Sequence, residues 1–300
     1  MPSLPLIGEL FALGTAFCWS FTAMFFSASG RRIGSDSVNR SRLLFALLFV
    51  SLTHFILEGS FFPLHVAPFR WGWLALSSLL GLVLGDASLF EAYVLLGPRL
   101  AMLMMSLVPI ITTAAGWLLF GETISVVEGA GILLTVGGIS WVVTDPRQAA
   151  TAINRQYGRG LLFGLGGALG QAANLLTAKY ALVGGFPPIS ASLIRILVAV
   201  VVLWGLALLQ KRARRIVAQW RDGAVLRLII AGTIAGPFLG IWFSLIAIQN
   251  ARVGIASTLM ALPPVILIPL TFIAYKERVN RRGLLGTLLA ICGVSLIFLA

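Results

Sequence analysis

Residues 81–140 read GLVLGDASLFEAYVLLGPRLAMLMMSLVPIITTAAGWLLFGETISVVEGAGILLTVGGIS, and residues 236–295 read GPFLGIWFSLIAIQNARVGIASTLMALPPVILIPLTFIAYKERVNRRGLLGTLLAICGVS. Set 155 residues apart, Gly81 falls on Gly236, Gly85 on Gly240, Pro109 on Pro264, Glu122 on Glu277, Gly131 on Gly286, Gly138 on Gly293 and Ser140 on Ser295. Nearer the N-terminus the offset is 152, where Gly8, Leu10, Phe11 and Gly14 fall on Gly160, Leu162, Phe163 and Gly166, and Trp19 and Thr22 fall on Gln171 and Asn174. Arg42 falls on Arg195 at 153. A bias toward Gly, Leu and Ala would align some of these pairs. It would not align the rarer Pro, Glu and Arg in one order, so the chain is an internal repeat.

Composition says what the repeat is made of. Of the 300 residues 59% are hydrophobic and 11% charged, with a mean hydropathy of +0.99, which excludes a soluble enzyme and a disordered chain alike. Ten apolar segments can be drawn, at 6–29, 39–57, 71–93, 99–119, 126–144, 159–182, 188–209, 225–248, 254–274 and 283–300. Each is near the roughly 20 residues that a helix needs to cross a bilayer and well beyond the ~10 of a barrel strand. The expected fold is therefore an all-α polytopic membrane protein, with ten transmembrane helices forming two five-helix repeats. The repeats are residues 1–145 and 159–300, with 146–158 as a cytoplasmic linker. Five is odd, so the second repeat enters the membrane inverted relative to the first. Inverted repeats are a common transporter plan, with the substrate near the midplane where the repeats meet.

The net charge of +12 would suggest nucleic acid in a soluble chain. Here 18 of the 22 Lys and Arg fall at the odd-numbered connections and three, Arg70, Lys179 and Arg252, at the even-numbered ones. That asymmetry is the positive-inside pattern. It reads as a multi-pass protein of the cell (inner) membrane, odd loops cytoplasmic, both termini outside, with lipid rather than nucleic acid as its surroundings. No phosphate-binding loop, His-Glu-x-x-His or metal-ligand spacing occurs, and Cys18 and Cys292 sit in apolar runs and are expected to be buried, reduced and inert. No enzyme chemistry, cofactor or metal is expected. The oligomeric state is left open, a monomer included.

The chain resembles the drug/metabolite transporter superfamily, specifically its EamA-type members. Two stretches carry the likeness: Pro109 to Gly138 with Phe120-Gly121-Glu122, and Pro264 to Gly293 with Tyr275-Lys276-Glu277. In that family each half has a proline in its fourth helix, then a Gly-Glu turn, then a glycine-bearing fifth helix. Lys276 stands where glycine is usual. The resemblance implies export or exchange of small metabolites, and in size and layout the chain is similar to the aromatic amino acid exporters.

Several residues bear on mechanism. Asp86 and Glu91 are the acids well inside a predicted span, and an ionised carboxylate there must be paired or hydrated. Asp86 reads either as a proton-coupling or substrate-amine group, or as a structural partner to an arginine or a hydrogen-bonded neutral acid. Glu91 reads as the partner of Arg99 or Arg42. Arg42 lies near a span end and can snorkel. Arg195 is too deep for that and can bind a substrate carboxylate or pair within the fold. Trp19, Thr22, Tyr93, Gln171, Asn174, Trp242 and Ser244 are candidate lining of a central site, with interhelical hydrogen bonding as the plainer role. Pro109 and Pro264 should kink their helices. Together with Gly85 and Gly240, on smooth small-residue faces, they are candidate gate hinges or static packing. The function expected is secondary transport by alternating access through a central cavity, most simply export of aromatic or neutral amino acids. The alternative is proton-coupled efflux of lipophilic cationic drugs, which needs an essential membrane acid, with Asp86 the good candidate. A third reading is a sensor or scaffold that moves no solute.

Overall fold

The computed structural model describes residues 6–63, 66–143, 157–267 and 281–299, and among them no strand occurs. Helix α1 spans Ile7–Ile33, α2 Ser35–Glu58, α3 Pro68–Ser78, α4 Asp86–Met105, α5 Leu107–Phe120 and α6 Val126–Val143. The second half has α7 at Tyr157–Leu182, α8 at Pro188–Leu209, a short α9 at Ala213–Gln219, α10 at Gly223–Thr233, α11 at Ile241–Asn250 and α12 at Val253–Met260. A further helix, α13, is described over 263–267, and α14 spans Arg281–Leu299. Six helical stretches are long and apolar enough to cross a membrane, and four shorter apolar ones cover Leu107–Phe120, Val126–Trp141, Val253–Leu267 and Leu284–Phe298. The linker 146–158, apart from its last two residues, and the Tyr275-Lys276-Glu277 turn lie outside the described residues.

Local chemistry sets the helix ends. Pro68 and Pro188 occupy first-turn positions, where the missing N–H has no helical partner to lose. Ser125 and Glu128 form a reciprocal capping box at the start of α6: the Glu128 N–H donates to Ser125 Oγ at 3.1 Å, and the Ser125 N–H to Glu128 Oε2 at 2.8 Å. Asp222 caps α10 by accepting from the N–H groups of Ala224 and Val225. Gly121 closes α5 at φ 63°, which suits a residue without a Cβ.

The helix interiors hold a feature that apolar periodicity does not display. Leu79–Gly85 and Ile234–Gly240 are π-helical, joining α3 to α4 and α10 to α11. The two segments are 155 residues apart, so they are one repeat feature present twice. A π-helical turn widens the helix by one residue, and such segments gather at functional sites.

Two expectations are corrected here. The expected break between 93 and 99 is absent, and helical backbone runs on to Met105 before an interruption at Ser106. Its mate α12 does begin after a break, at Ala251 and Arg252. Gly97-Pro98 is a dipeptide that ordinarily marks a helix boundary, yet the backbone stays helical through it. Nor do the prolines kink continuous helices. Ser106 and Ala261, again 155 apart, interrupt the helices three residues earlier, leaving Pro109 in the first turn of α5 and Pro264 in that of α13. In a first turn a proline removes no helical hydrogen bond.

Packing follows the repeat. Helix α7 lies along α3 and α4, and α1 lies along α10 and α11; α2 packs on α8, α5 on α12, and α6 on α14. Exchanging the two halves turns the first pair of relations into each other and leaves the α2–α8 and α6–α14 pairs unchanged. The α6–α14 seam is built from glycine. A Cβ on Gly131 would meet Gly293 O, one on Gly293 would meet Gly131 O, and one on Gly138 would meet Gly286 O and Ala290 N. Small residues let these helices approach backbone to backbone. The outward faces remain apolar, with Leu10 and Phe17 on α1, Leu48, Leu52 and Ile56 on α2, and Leu208 and Leu209 on α8 exposed. Cys292 is exposed on α14, against the expectation of burial, while Cys18 is half-buried. So much exposed hydrocarbon is what lipid, not water, accommodates.

Candidate functional site

A polar cluster crosses the interior where α2, α3, α4, α7 and α8 converge. Arg42 on α2 is 3% exposed, and its Nη2 forms an ion pair with Asp86 Oδ2 at the start of α4. Its Nε donates to Asn39 Oδ1 at 2.8 Å, one turn back on the same helix, and its guanidinium lies over the Phe26 and Phe90 rings. The other carboxylate oxygen of Asp86 accepts from Gln171 Nε2 on α7 at 3.0 Å. Gln171 Oε1 in turn accepts from Asn174 Nδ2 at 3.2 Å. Asn174 Oδ1 accepts from Ser77 Oγ on α3 at 2.7 Å and from Arg195 Nη2 on α8 at 2.5 Å. Ser78 Oγ donates to the Arg195 carbonyl at 2.6 Å, tying α3 to α8.

The cluster sits here because the helix crossings allow it. A Cβ on Gly81 would come 2.5 Å from Asn174 Cγ, so the amide occupies the space that the glycine leaves open. Gly85 lies against Gly170, where a Cβ on Gly170 would come 2.9 Å from Gly85 Cα. Both glycines belong to the first π segment, which therefore forms the surface that Gln171 and Asn174 pack upon. Among the described residues the equivalent crossing of α1 with the second π segment holds no such cluster. There Gly236 faces Thr22, and Gly240 faces the Trp19 ring.

The sequence candidates thus divide. Asp86, Arg42, Arg195, Gln171 and Asn174 come together in one hydrogen-bonded chain. Arg42 is buried rather than snorkelling, and its carboxylate partner is Asp86, not Glu91. Five residues of helix separate the two acids by some 140° of turn, so only one can face α2. Thr22 donates to Cys18 O at 2.9 Å and to Gly232 O at 3.2 Å, joining α1 to α10, while Ser244 donates to Ile241 O on its own helix at 2.7 Å. Trp242 stacks along Phe238. Thr22, Ser244 and the tryptophans lie on the α1, α10 and α11 side, outside the cluster's hydrogen bonds. The Tyr93 side chain lies outside the described residues. Asn39 and Ser192 were not anticipated, although each stands three residues before one of the repeat-matched arginines, a spacing that puts it on the arginine's face.

A second polar zone lies at the end of the molecule that carries the three basic residues of the even-numbered connections. Lys179 on α7 pairs with Glu122, whose Oε2 also accepts the Val253 N–H at 2.9 Å. The lysine also donates to Ala251 O at 3.1 Å. Arg252 pairs with Glu128, and its Nη1 donates to Thr123 O at 2.7 Å. Arg70 donates to Ala181 O at 3.3 Å and lies over the Phe186 ring. Each of these three cations ties together segments from different parts of the chain. Among the described residues no group of His, Cys, Asp and Glu could hold a metal ion.

The model of the EamA-like transporter family matches the chain twice, at residues 6–144 and 158–299. A protein of Haemophilus influenzae, described as an uncharacterized transporter, is 24% identical over 185 residues, a match spanning 60% of this chain and 60% of that protein's length. A solved structure, described only as the crystal structure of a protein, superposes with a TM-score of 0.78 at 16% identity, covering 96% of this chain and 95% of its own. At that identity the likeness concerns the fold alone.

Proposed function

We infer a substrate class for this chain, which belongs to the EamA-like transporter family and is a secondary transporter of the drug/metabolite superfamily. It exports small metabolites, foremost amino acids with aromatic or neutral side chains, by alternating access through a centre built from the Arg42–Asp86–Gln171–Asn174–Arg195 cluster. One observation carries this reading: the buried centre holds two guanidiniums, one carboxylate and two amides. Groups of that kind suit a zwitterion, whose carboxylate and ammonium need opposite partners. A lipophilic cation brings no carboxylate and would enter a centre that already holds two guanidiniums against one carboxylate. Trp19, Trp242 and Tyr93 supply the apolar contact, Thr22 and Ser244 the flanking hydroxyls. The helix breaks before Pro109 and Pro264, with the π segments ending at Gly85 and Gly240, are the hinges on which residues 1–145 and 159–300 rock about the 146–158 linker. The face rich in Lys and Arg lies in the cytoplasm of a cell whose inner membrane holds the protein, with both termini on the other side.

The test is flux in proteoliposomes, comparing labelled phenylalanine with tetraphenylphosphonium, with and without a pH gradient. Saturable phenylalanine flux is expected. Gradient-dependent flux of the cation, with none of phenylalanine, overturns the reading and puts Asp86 at the centre of a proton-coupled mechanism.

A further inference from the structure

The two halves treat their equivalent arginines differently. Arg42 has partners at two of its nitrogens, Asn39 at Nε and Asp86 at Nη2, and none of its nitrogens is buried without one. Arg195 is 2% exposed, and only its Nη2 is engaged, by Asn174; Nε and Nη1 meet no acceptor among the described residues. The repeat explains the difference. The mate of Asn39, at the same offset of 153, is Ser192, and the mate of Asp86, at 155, is Ile241. The serine is too short to replace the amide, and its hydroxyl is itself buried without a partner. The isoleucine supplies no charge. Arg195 lies seven residues into α8, about 10 Å along the helix, too deep for its head to reach water. Buried donors left unmet are costly, and a buried cation without its own anion more so. The only carboxylate in the cluster is already paired with Arg42.

We propose that Arg195 and Ser192 form a carboxylate-binding subsite, in which the substrate's carboxylate stands to Arg195 as Asp86 stands to Arg42. The first half carries its counter-anion in its own sequence, and the second receives it with the substrate. The anion accepts from the open guanidinium nitrogens and from the serine hydroxyl, so the class of substrate is a small organic acid with an unesterified carboxylate, amino acids included. This deepens the amino acid reading above and rests on it for the identity of the rest of the molecule.

Two arms test it. In proteoliposomes, unlabelled phenylalaninamide should compete with labelled phenylalanine about tenfold more weakly, or worse, than phenylalanine itself, as expected for loss of a charge-assisted contact. In detergent, benzoate should raise the unfolding temperature of the wild-type protein in a concentration-dependent way and benzamide should not. Ile241→Asp gives the second half its own counter-anion. It should cut phenylalanine flux at least tenfold and abolish the benzoate effect, while Ile241→Asn, of similar size without the charge, keeps both within about twofold. Competition by the amide equal to that by phenylalanine, or full benzoate stabilisation in Ile241→Asp, overturns the subsite and leaves the transport reading standing. Absence of phenylalanine flux with the benzoate effect intact, and lost in Ile241→Asp, overturns the amino acid reading and leaves the subsite standing.

Discussion

Adjacent glycines on α6 should respond in opposite ways to the same substitution. Gly137 is exposed, and a Cβ there would meet nothing within 4 Å among the described residues. Gly138 is buried, and its Cβ would stand 2.6 Å from Ala290 N and from Gly286 O, both backbone atoms of α14. Backbone cannot rotate away as a side chain can. To reach an ordinary contact of 3.4 Å the two helices must part by about 0.8 Å, and a gap of 0.5–1 Å already forfeits roughly a quarter to a half of each dispersion contact along the seam. Replacing glycine by alanine favours a helix by about 0.8–1 kcal/mol at either position, so that contribution cancels in the comparison. What remains is overpacking, about 1–3 kcal/mol. Gly137→Ala should therefore be about 1 kcal/mol more stable than the parent, and Gly138→Ala about 1–3 kcal/mol less stable than Gly137→Ala. Gly293→Ala, on the other side of the seam, should behave like Gly138→Ala, since its Cβ would stand 2.5 Å from Thr135 N and 2.6 Å from Gly131 O. Unfolding in mixed micelles by rising SDS, followed by tryptophan fluorescence, measures all three. Equal free energies for Gly137→Ala and Gly138→Ala would refute the backbone-contact account of the α6–α14 seam.

Two further outcomes follow from the ion pairs. Asp86→Asn strands a buried guanidinium, which should cost about 3–5 kcal/mol, while adding Arg42→Gln removes the stranded charge and recovers most of the loss. A double-mutant cycle on SDS unfolding with a coupling below about 1 kcal/mol would mean that the two side chains do not meet. Lys179→Gln unties Glu122 from α7, so the end of the molecule closed by Glu122, Ala251 and Val253 should open more often. The rate of alkylation of Ser257→Cys, buried below that tie on α12, should rise several-fold in a background lacking Cys18 and Cys292. An unchanged rate would mean that the tie does not hold this end shut.

The membrane setting, the helical class and the repeat are properties of the chain as a line of residues, and the sequence determines them without a structure. Hydrophobicity over some 20 residues and similarity at a constant offset survive any way in which the helices are arranged. Even the unlike surroundings of Arg42 and Arg195 were open to reading, because Asn39 and Ser192 stand at the same spacing before them. Which groups meet was not open in that way. Asp86 reaches Arg42 across 44 residues, and Gln171 across 85, because helix crossings set side chains face to face irrespective of their distance along the chain. The π segments at Leu79–Gly85 and Ile234–Gly240 add a residue to one turn and so rotate everything beyond them, which a 3.6-residue period read from the sequence does not register. Only the packed structure decided that Arg42 is buried against Asp86 while Arg195, its equivalent, is left with two donors unmet, since a donor is free or satisfied only once every neighbouring helix has taken its place.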